Sequence, residues 1–266
     1  MIDALKLSRP IQNEAYLFDF SICTLVTRKE EYNEMLNSFI EKGFNSANCE
    51  FLYADNADQN NFDAFTAINL FLRKAQGKYI IICHQDIILH QDGINELNAC
   101  LKTLDQTDPK WAICGNAGAV GPNYIVFHIT YPPNTFSKKG QLPLKVNSLD
   151  ENFLVIKNSA LLKVSNDLSG FHFYGTDLTL QAQLNGFSAY VIPFNLMHKS
   201  KGNKNEEYYI IKKRLIKKYN QFFRARWIQT NTTEFYLSGS PFNWLVSNKF
   251  FLFFSKMANG LKKRLK

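Results

Sequence analysis

In the segment Tyr79–Leu89, YIIICHQDIIL, an apolar run ends abruptly in His84-Gln85-Asp86 and resumes as Ile-Ile-Leu. A carboxylate at the tip of a buried strand is unfavourable unless it has a partner. A divalent cation is one such partner, because Mg²⁺ and Mn²⁺ take hard oxygen ligands and bridge them to phosphates. Capping of the following segment by Asp86 is the other, and the tripeptide alone does not separate the two. A second concentration of polar groups lies in Phe171–His198, FHFYGTDLTLQAQLNGFSAYVIPFNLMH. Asp177 opens a helical pattern whose apolar face includes Leu178, Ala182 and Leu184. The helix dipole favours an acid there for structural reasons. At the mouth of a sheet the same group would serve as a general base. His198 follows a strand and a Pro-containing turn. A lone histidine is most often not a ligand, yet a cation at Asp86 requires a second ligand somewhere.

The elements that must position these groups are legible from periodicity. Phe20–Val26, Cys49–Ala54, Tyr79–Cys83 and Trp111–Gly115 are short apolar runs rich in strand formers. Between them, Glu30–Lys42, Asp63–Gln76 and Asp92–Leu104 carry helical spacing, and Gly43 ends the first. Asn152–Ile156 and Ser188–Ile192 add strands, and Asp177–Asn185 adds a helix closed by Gly186. Strands alternating with helices predict an α/β fold with a largely parallel sheet. Ligands on such sheets bind at the carboxyl ends of the strands. Those ends carry Thr27, Asp55 and the His84–Asp86 tripeptide. Residues 115–149, rich in Gly, Pro, Asn and Lys, read as loops and short strands, a candidate lid.

The 266 residues suit one large α/β domain with an appendage, or two small domains, and 45% hydrophobic content supplies a sizeable core and excludes intrinsic disorder. The net charge of +8 hides an asymmetry. Residues 1–198 carry 15 basic and 20 acidic side chains, whereas residues 199–266 carry 16 basic and 3 acidic. Such a basic quarter meets phosphates on anionic lipid or nucleic acid, or else is a solvated helix face. Glu206–Phe223 predicts a helix with an apolar stripe of Ile211, Leu215, Tyr219 and Phe222. Further on, Phe250, Phe254, Met257, Leu261 and Leu265 recur at helical spacing among six basic residues and no acid between Trp244 and Lys266. This is the profile of an interfacial helix, a helix packed on its own domain or at a dimer interface being the alternative. Five cysteines without a CxxC pair fit a reducing compartment. The N-terminal residues lack an apolar core of signal-peptide length, and no stretch reaches the roughly 18 apolar residues of a spanning helix. Neither secretion nor a membrane span is expected.

Taken in order, the motifs resemble the glycosyltransferase family two superfamily, whose fold is called GT-A. The nearest likeness is to a bacterial branch in which HQD stands in place of DxD. The resemblance rests on FSICTLVTRKEEY (20–32), Asp55 in ADN, the Ala67–Tyr79 steps, HQDI (84–87) and SLDENFLVIK (148–157), then FHFYGTDL (171–178), NGFSAYVIP (185–193) and HKSKG (198–202). It spans residues 20–202. It implies a Rossmann-like, mixed but mostly parallel sheet flanked by helices, with residues 1–202 as the transferase domain and 203–266 as a basic helical extension. It further implies that Asp55 contacts the nucleotide base, that Leu25, Val26 and Thr27 line the same pocket, and that His84 and Gln85 belong to the donor side. Asp86 would hold the metal and diphosphate, and His198 would be a second metal ligand or diphosphate contact. Asp177 matches the base of inverting members. Asp150, Glu151 and His172 fall on the acceptor side. Two departures stand out: His84 replaces the first acid of DxD, leaving fewer protein carboxylates for a metal, and Gly175-Thr176-Asp177 replaces the common Glu-Asp pair, leaving one carboxylate as base.

The resulting expectation is an inverting, metal-dependent hexosyltransferase of surface polysaccharide (capsule or lipopolysaccharide) synthesis. It would use a nucleotide-sugar donor, Mn²⁺ or Mg²⁺, and a lipid-linked saccharide acceptor. It would be cytoplasmic, held peripherally at the inner face of the membrane by residues 244–266, with no nucleic-acid partner. The lipid-linked acceptor comes from the family context and the basic segment, not from an acceptor motif. A sugar nucleotidyltransferase would carry a glycine-rich phosphate loop near the first strand, which LVTRKEE lacks. A catalytically impaired transferase-like protein and a nucleic-acid-binding module using the basic segment are the remaining rivals.

Overall fold

The computed structural model describes residues 7–10, 15–200, 202 and 204–264, the side chains of 259–264 lying outside the description. Lys201 of HKSKG, and Leu265 and Lys266 of the basic segment, are not among the described residues. The chain divides into two compact units, 1–211 and 212–266.

The first unit contains β1 (Phe18–Val26), α1 (Lys29–Glu41), β2 (Cys49–Asp55), α2 (Ala64–Lys74), β3 (Gly77–Cys83), β4 (Ile87–Ile88), α3 (Ile94–Thr107) and β5 (Trp111–Gly115). Five short strands follow: β6 (Ala117–Gly121), β7 (Tyr124–Tyr131), β8 (Thr135–Lys139), β9 (Leu144–Val146) and β10 (Ser148–Leu149). Then come β11 (Phe153–Lys157), α4 (Tyr174–Leu184), β12 (Ser188–Val191) and β13 (Met197–His198). Among the described residues the larger sheet has seven strands in the order β2-β1-β3-β11-β5-β12-β9. β1 runs parallel to both β2 and β3, β12 runs parallel to β5, and β11 and β9 are antiparallel to their neighbours. This is the mixed, mostly parallel α/β sheet expected. A smaller sheet, β10-β6-β7-β13-β4 with β8 on β7, takes up most of residues 115–149.

Strand alternation divides the core between two faces. Phe20, Ile22, Ile81 and Phe153 join Met35 and Phe39 of α1 and Leu97 and Leu101 of α3 in one apolar cluster. The intervening Ile80, Ile82 and Leu154 are equally buried but point the other way. The buried residues of α2 and α4, among them Phe65, Ile68, Leu178 and Ala182, stand outside that cluster. Central strands covered on both faces read as continuous apolar runs, as YIIIC does. Each such Ile or Phe contributes about 1.5–3 kcal/mol by burial.

Local chemistry sets the helix ends. Asp63 caps α2, accepting from the N–H groups of Phe65 and Thr66. The helix expected to open at Asp177 instead starts at Tyr174, one residue after Phe173 takes a left-handed φ of 67°. Its first turn is buried and has N–H groups without intrahelical acceptors, and a distant acid meets one of them, Gly175 N donating to Glu151 Oε1 at 3.3 Å. A Cβ at Gly175 would lie 2.8 Å from the Leu149 carbonyl oxygen, so glycine is what lets the helix end approach this closely.

Helix α5 (Glu206–Phe222) begins in the first unit and ends in the second. The second unit adds a hairpin of β14 (Arg226–Gln229) and β15 (Glu234–Leu237), then α6 (Asn243–Val246) and α7 (Lys249–Arg264). Lys256 of α7 is ion-paired with Glu234. Phe250, Phe254 and Met257 are exposed, and so are Phe251, Phe253, Phe242 and Trp244. The apolar surface of α7 is therefore wider than the stripe read from spacing. No helix of the described residues is long and apolar enough to cross a membrane. All five cysteines are free.

Candidate active site at the strand ends

The parallel register brings the carboxyl ends of β1, β2 and β3 side by side: Thr24 lies opposite Cys83, and Val26 opposite Asp55. Beyond β3 the chain turns through His84-Gln85-Asp86 into β4, which pairs antiparallel with β13 so that Ile87 faces His198. That pairing carries His198 to Asp86 from more than a hundred residues away. A cleft of about 250 Å³ opens here, lined by Leu25, Thr27, His84, Gln85, Asp86 and Tyr174 among others.

Three donor atoms converge in it. His198 Nε2 lies 3.4 Å from Asp86 Oδ1, His84 Nδ1 lies 3.4 Å from His198 Nε2, and His84 Nδ1 lies 4.0 Å from Asp86 Oδ1. Two ligand atoms each ~2.1 Å from one ion sit roughly 3.0–3.4 Å apart. Two of the three separations match this and the third needs only a small closure, so the set fits a divalent cation. These three residues could share an ion, and the sequence reading places the third of them, His84, on the donor side instead. Burial by itself would raise the Asp86 carboxyl. The hydrogen bonds from His198 and Ser200 and the imidazoles of His198 and His84 outweigh it and hold Asp86 well below the usual carboxylate range. Burial, then His198, lowers His84, so its ring favours the neutral form.

Gln85 faces the end of β1. Its Oε1 accepts from Thr27 N at 2.8 Å and Arg28 N at 3.0 Å, and its Nε2 donates to Thr27 Oγ1 at 2.9 Å. Leu25 and Thr27 line the cleft, while Val26, between them in a period-two strand, turns its side chain into the core. Asp55 is ion-paired to Lys29 at 3.1 Å and accepts from Ala57 N. That backbone bond, then Lys29, keeps its carboxyl below the ordinary value.

The acceptor-side residues are spread differently. Asp150 is exposed, with Oδ1 accepting from the backbone and side chain of Asn152. Glu151 is partly buried at the N-terminus of α4; burial, then Asp150, raises its carboxyl to about 8 against the pull of the helix N–H groups. The His172 ring meets Tyr208 edge-on at 5.5 Å. Asp177 is fully buried, and its two oxygens accept from Ser165 N and Ser165 Oγ, both at 2.7 Å. Tyr174 was not singled out by sequence, although it sits inside FHFYGTDL. Its hydroxyl lies 3.0 Å from His84 Nε2 and donates to the Glu151 carbonyl at 3.3 Å.

No family model matches the chain. Among solved structures, S. aureus TarS 1–349 in complex with UDP-GlcNAc aligns with a TM-score of 0.50 and 12% identity, over 75% of this chain and 65% of that chain. The present chain thus spans a little under two thirds of that fragment's length, and what the two share is the α/β fold. The same TarS fragment with UDP aligns at a TM-score of 0.47 and 12% identity, over 69% of this chain and 61% of that one. Among curated proteins, the "ATP synthase subunits region ORF 6" protein of Fuscovulum blasticum is 35% identical over 226 residues, covering 83% of this chain and 91% of that protein. That description names no activity, but at this identity and coverage the chain belongs to the family of the F. blasticum ORF 6 protein.

Proposed function

We propose that this protein is an inverting glycosyltransferase that takes a sugar from a nucleotide-sugar donor with the help of a divalent cation. The carrying observation is the convergence of Asp86, His198 and His84 at the carboxyl end of β3, beside the Thr27 turn and Asp55. The likeness in fold to a protein crystallised with UDP-GlcNAc supports the same donor class. In this reading Asp55 and the Leu25–Thr27 turn hold the nucleotide, and Asp86 and His198 hold the cation, Mn²⁺ or Mg²⁺ in the family. Bound there, a cation would stabilise the charge of the departing diphosphate. Residues 1–202 form the transferase domain and 203–266 its basic extension.

Transfer also needs a base to take the proton from the attacking acceptor hydroxyl. Asp177 stands at the family's position for that role, but both its oxygens are engaged by Ser165 and it is fully buried. Glu151 is partly open, and the Tyr174 side chain links its backbone to His84. We therefore assign proton acceptance to Glu151 and give Asp177 the task of anchoring the Ser165 turn against α4. Asp150 and His172 remain acceptor-side candidates. The acceptor is a saccharide on a lipid carrier, in bacterial surface polysaccharide synthesis, at the inner face of the membrane; the exposed aromatics and lysines of residues 243–257 support that setting.

The test is a thermal-shift screen of nucleoside diphosphates and sugar nucleotides with and without Mn²⁺. A shift with one nucleotide class, beyond that of Mn²⁺ alone and absent without the metal, is expected. No shift with any nucleotide, together with salt-sensitive oligonucleotide binding, would transfer the protein to the nucleic-acid-binding class.

A further inference from the structure

The hydrogen bonds around Tyr174 determine which nitrogen of His84 carries its proton. A tyrosine hydroxyl has one hydrogen to give. The Glu151 carbonyl can only accept, so Tyr174 Oη gives its hydrogen there, at 3.3 Å. Tyr174 Oη must then accept from His84 Nε2, 3.0 Å away. In that arrangement a ring with one hydrogen carries it on Nε2 and has a bare lone pair on Nδ1. That lone pair faces His198 Nε2 and Asp86 Oδ1, the two other convergent donors. Metal-ligating imidazoles are commonly held in this way, through the ring nitrogen that does not touch the ion. Tyr174 is itself buried in place at 4% exposure, so the ring it holds is oriented before any ion arrives.

We infer that His84, oriented by Tyr174, is a full ligand of a two-imidazole, one-carboxylate cation site that selects Co²⁺, Zn²⁺ or Mn²⁺ over Mg²⁺ and binds them before nucleotide. Imidazole suits borderline transition ions, whereas Mg²⁺ demands oxygen and surrenders its waters reluctantly. A site of two imidazoles and one carboxylate thus holds Mg²⁺ weakly, Co²⁺ and Zn²⁺ best, and Mn²⁺ between them. Three preset protein donors also remove the need for a diphosphate to complete a minimal ligand set. This inference rests on the cation part of the proposed function and is independent of sugar transfer.

The experiment uses the full chain, metal-stripped and free of any polyhistidine tag. CoCl₂, MnCl₂ and MgCl₂ are each titrated by calorimetry without nucleotide, and bound Co²⁺ is followed by its visible absorbance. One Co²⁺ and one Mn²⁺ per chain are expected, with Mg²⁺ weaker by about 100-fold or more. His84→Ala should weaken Co²⁺ and Mn²⁺ and change the Co²⁺ spectrum. Tyr174→Phe should weaken both by about 10–100-fold, while the unfolding temperature of the metal-free protein stays close to wild type. His84→Asp should move the preference back toward Mg²⁺. Mg²⁺ binding within a few-fold of Mn²⁺, or a His84→Ala variant with unchanged Co²⁺ affinity and spectrum, would overturn the assignment. Nucleotide-sugar binding without metal binding sinks this inference and spares the donor; metal binding without nucleotide-sugar binding does the reverse.

Discussion

Gln85 and Thr27 are joined by two hydrogen bonds running in opposite directions: the Gln85 side-chain oxygen accepts from Thr27 N, and its amide nitrogen donates to Thr27 Oγ1. Because the same oxygen also accepts from Arg28 N, one side chain sets the path of the chain as it leaves β1. The middle residue of HQD is thus turned away from a cation and toward the β1–α1 turn. Replacing Gln85 with Ala should loosen that turn, weakening nucleotide binding about tenfold and lowering stability by about 1.5–4.5 kcal/mol, since each of the three lost bonds contributes about 0.5–1.5 kcal/mol. Metal binding in the absence of nucleotide should be nearly unchanged. Denaturant titration and calorimetry read the two effects, and a Gln85→Ala variant with wild-type nucleotide affinity would remove the clamp from the argument.

Asp86 is the carboxylate whose loss should be felt most directly. Asp86→Ala removes the only acid of the convergent trio. Metal-dependent nucleotide binding should vanish while the fold survives, because Asp86 lies at a strand tip and not inside the apolar cluster. Equal nucleotide affinity with and without the substitution, in the presence of Mn²⁺, would contradict the site.

Glu151 and Asp177 are distinguished by what each substitution breaks. Asp177→Asn turns an amide toward the Ser165 N–H and should destabilise the fold by about 1–3 kcal/mol. Glu151→Gln should leave folding intact and lower turnover by about 10²–10⁴-fold. If instead the Asn variant folds normally and loses turnover, the base role returns to Asp177.

The Glu151 carboxyl also predicts two opposite pH trends. Folded, it keeps its proton up to about pH 8; unfolded, it gives it up near the ordinary 4.5. Between those values the unfolded chain binds fewer protons, so this group's contribution to stability is full below about 4.5 and is lost as pH rises through about 8. A base is active only when ionised, so turnover at saturating donor should rise over the upper part of the same window. Glu151→Gln should flatten the stability trend, as measured by unfolding at pH 5, 6, 7 and 8. A wild-type curve indistinguishable from the variant's would discard the raised carboxyl.

The exposed aromatics of α6 and α7 should bring the full chain down with anionic liposomes at low salt and release it at high salt. Each lysine near such a surface contributes about 1 kcal/mol at most. Phe250→Glu with Phe254→Glu should abolish sedimentation without changing nucleotide binding. Failure of the wild-type chain to bind anionic vesicles at low salt would leave the lipid-linked acceptor without support.

Much of the architecture was already present in local sequence. YIIIC reads as a strand covered on both faces because the run is short, rich in β-branched residues and bounded by Gly77 and the polar HQD, and Gly77 begins it where a Cβ would strike the backbone of Ser21. Asp63 announced the start of α2, and strand tips ending in Thr27, Asp55 and HQD announced where polar groups collect. Short-range patterns reveal these features because each depends on neighbours within a turn or a pleat. Residues 115–149 resisted the same reading: AGAVG in β6 has no alternation of apolar and polar residues, and its strands are defined by partners such as β10 and β7.

What the tertiary structure alone decided is which distant side chains meet. His84 reaches His198 across 114 positions only because β4 pairs with β13. Asp177 looks like a helix-opening acid at a cleft, yet Ser165 folds back to take both its oxygens. Glu151 reaches the end of α4 because Gly175 allows the close approach. No periodicity encodes such pairings, because a side chain's proton affinity and ligating power depend on groups that only the closed fold brings within a few ångströms.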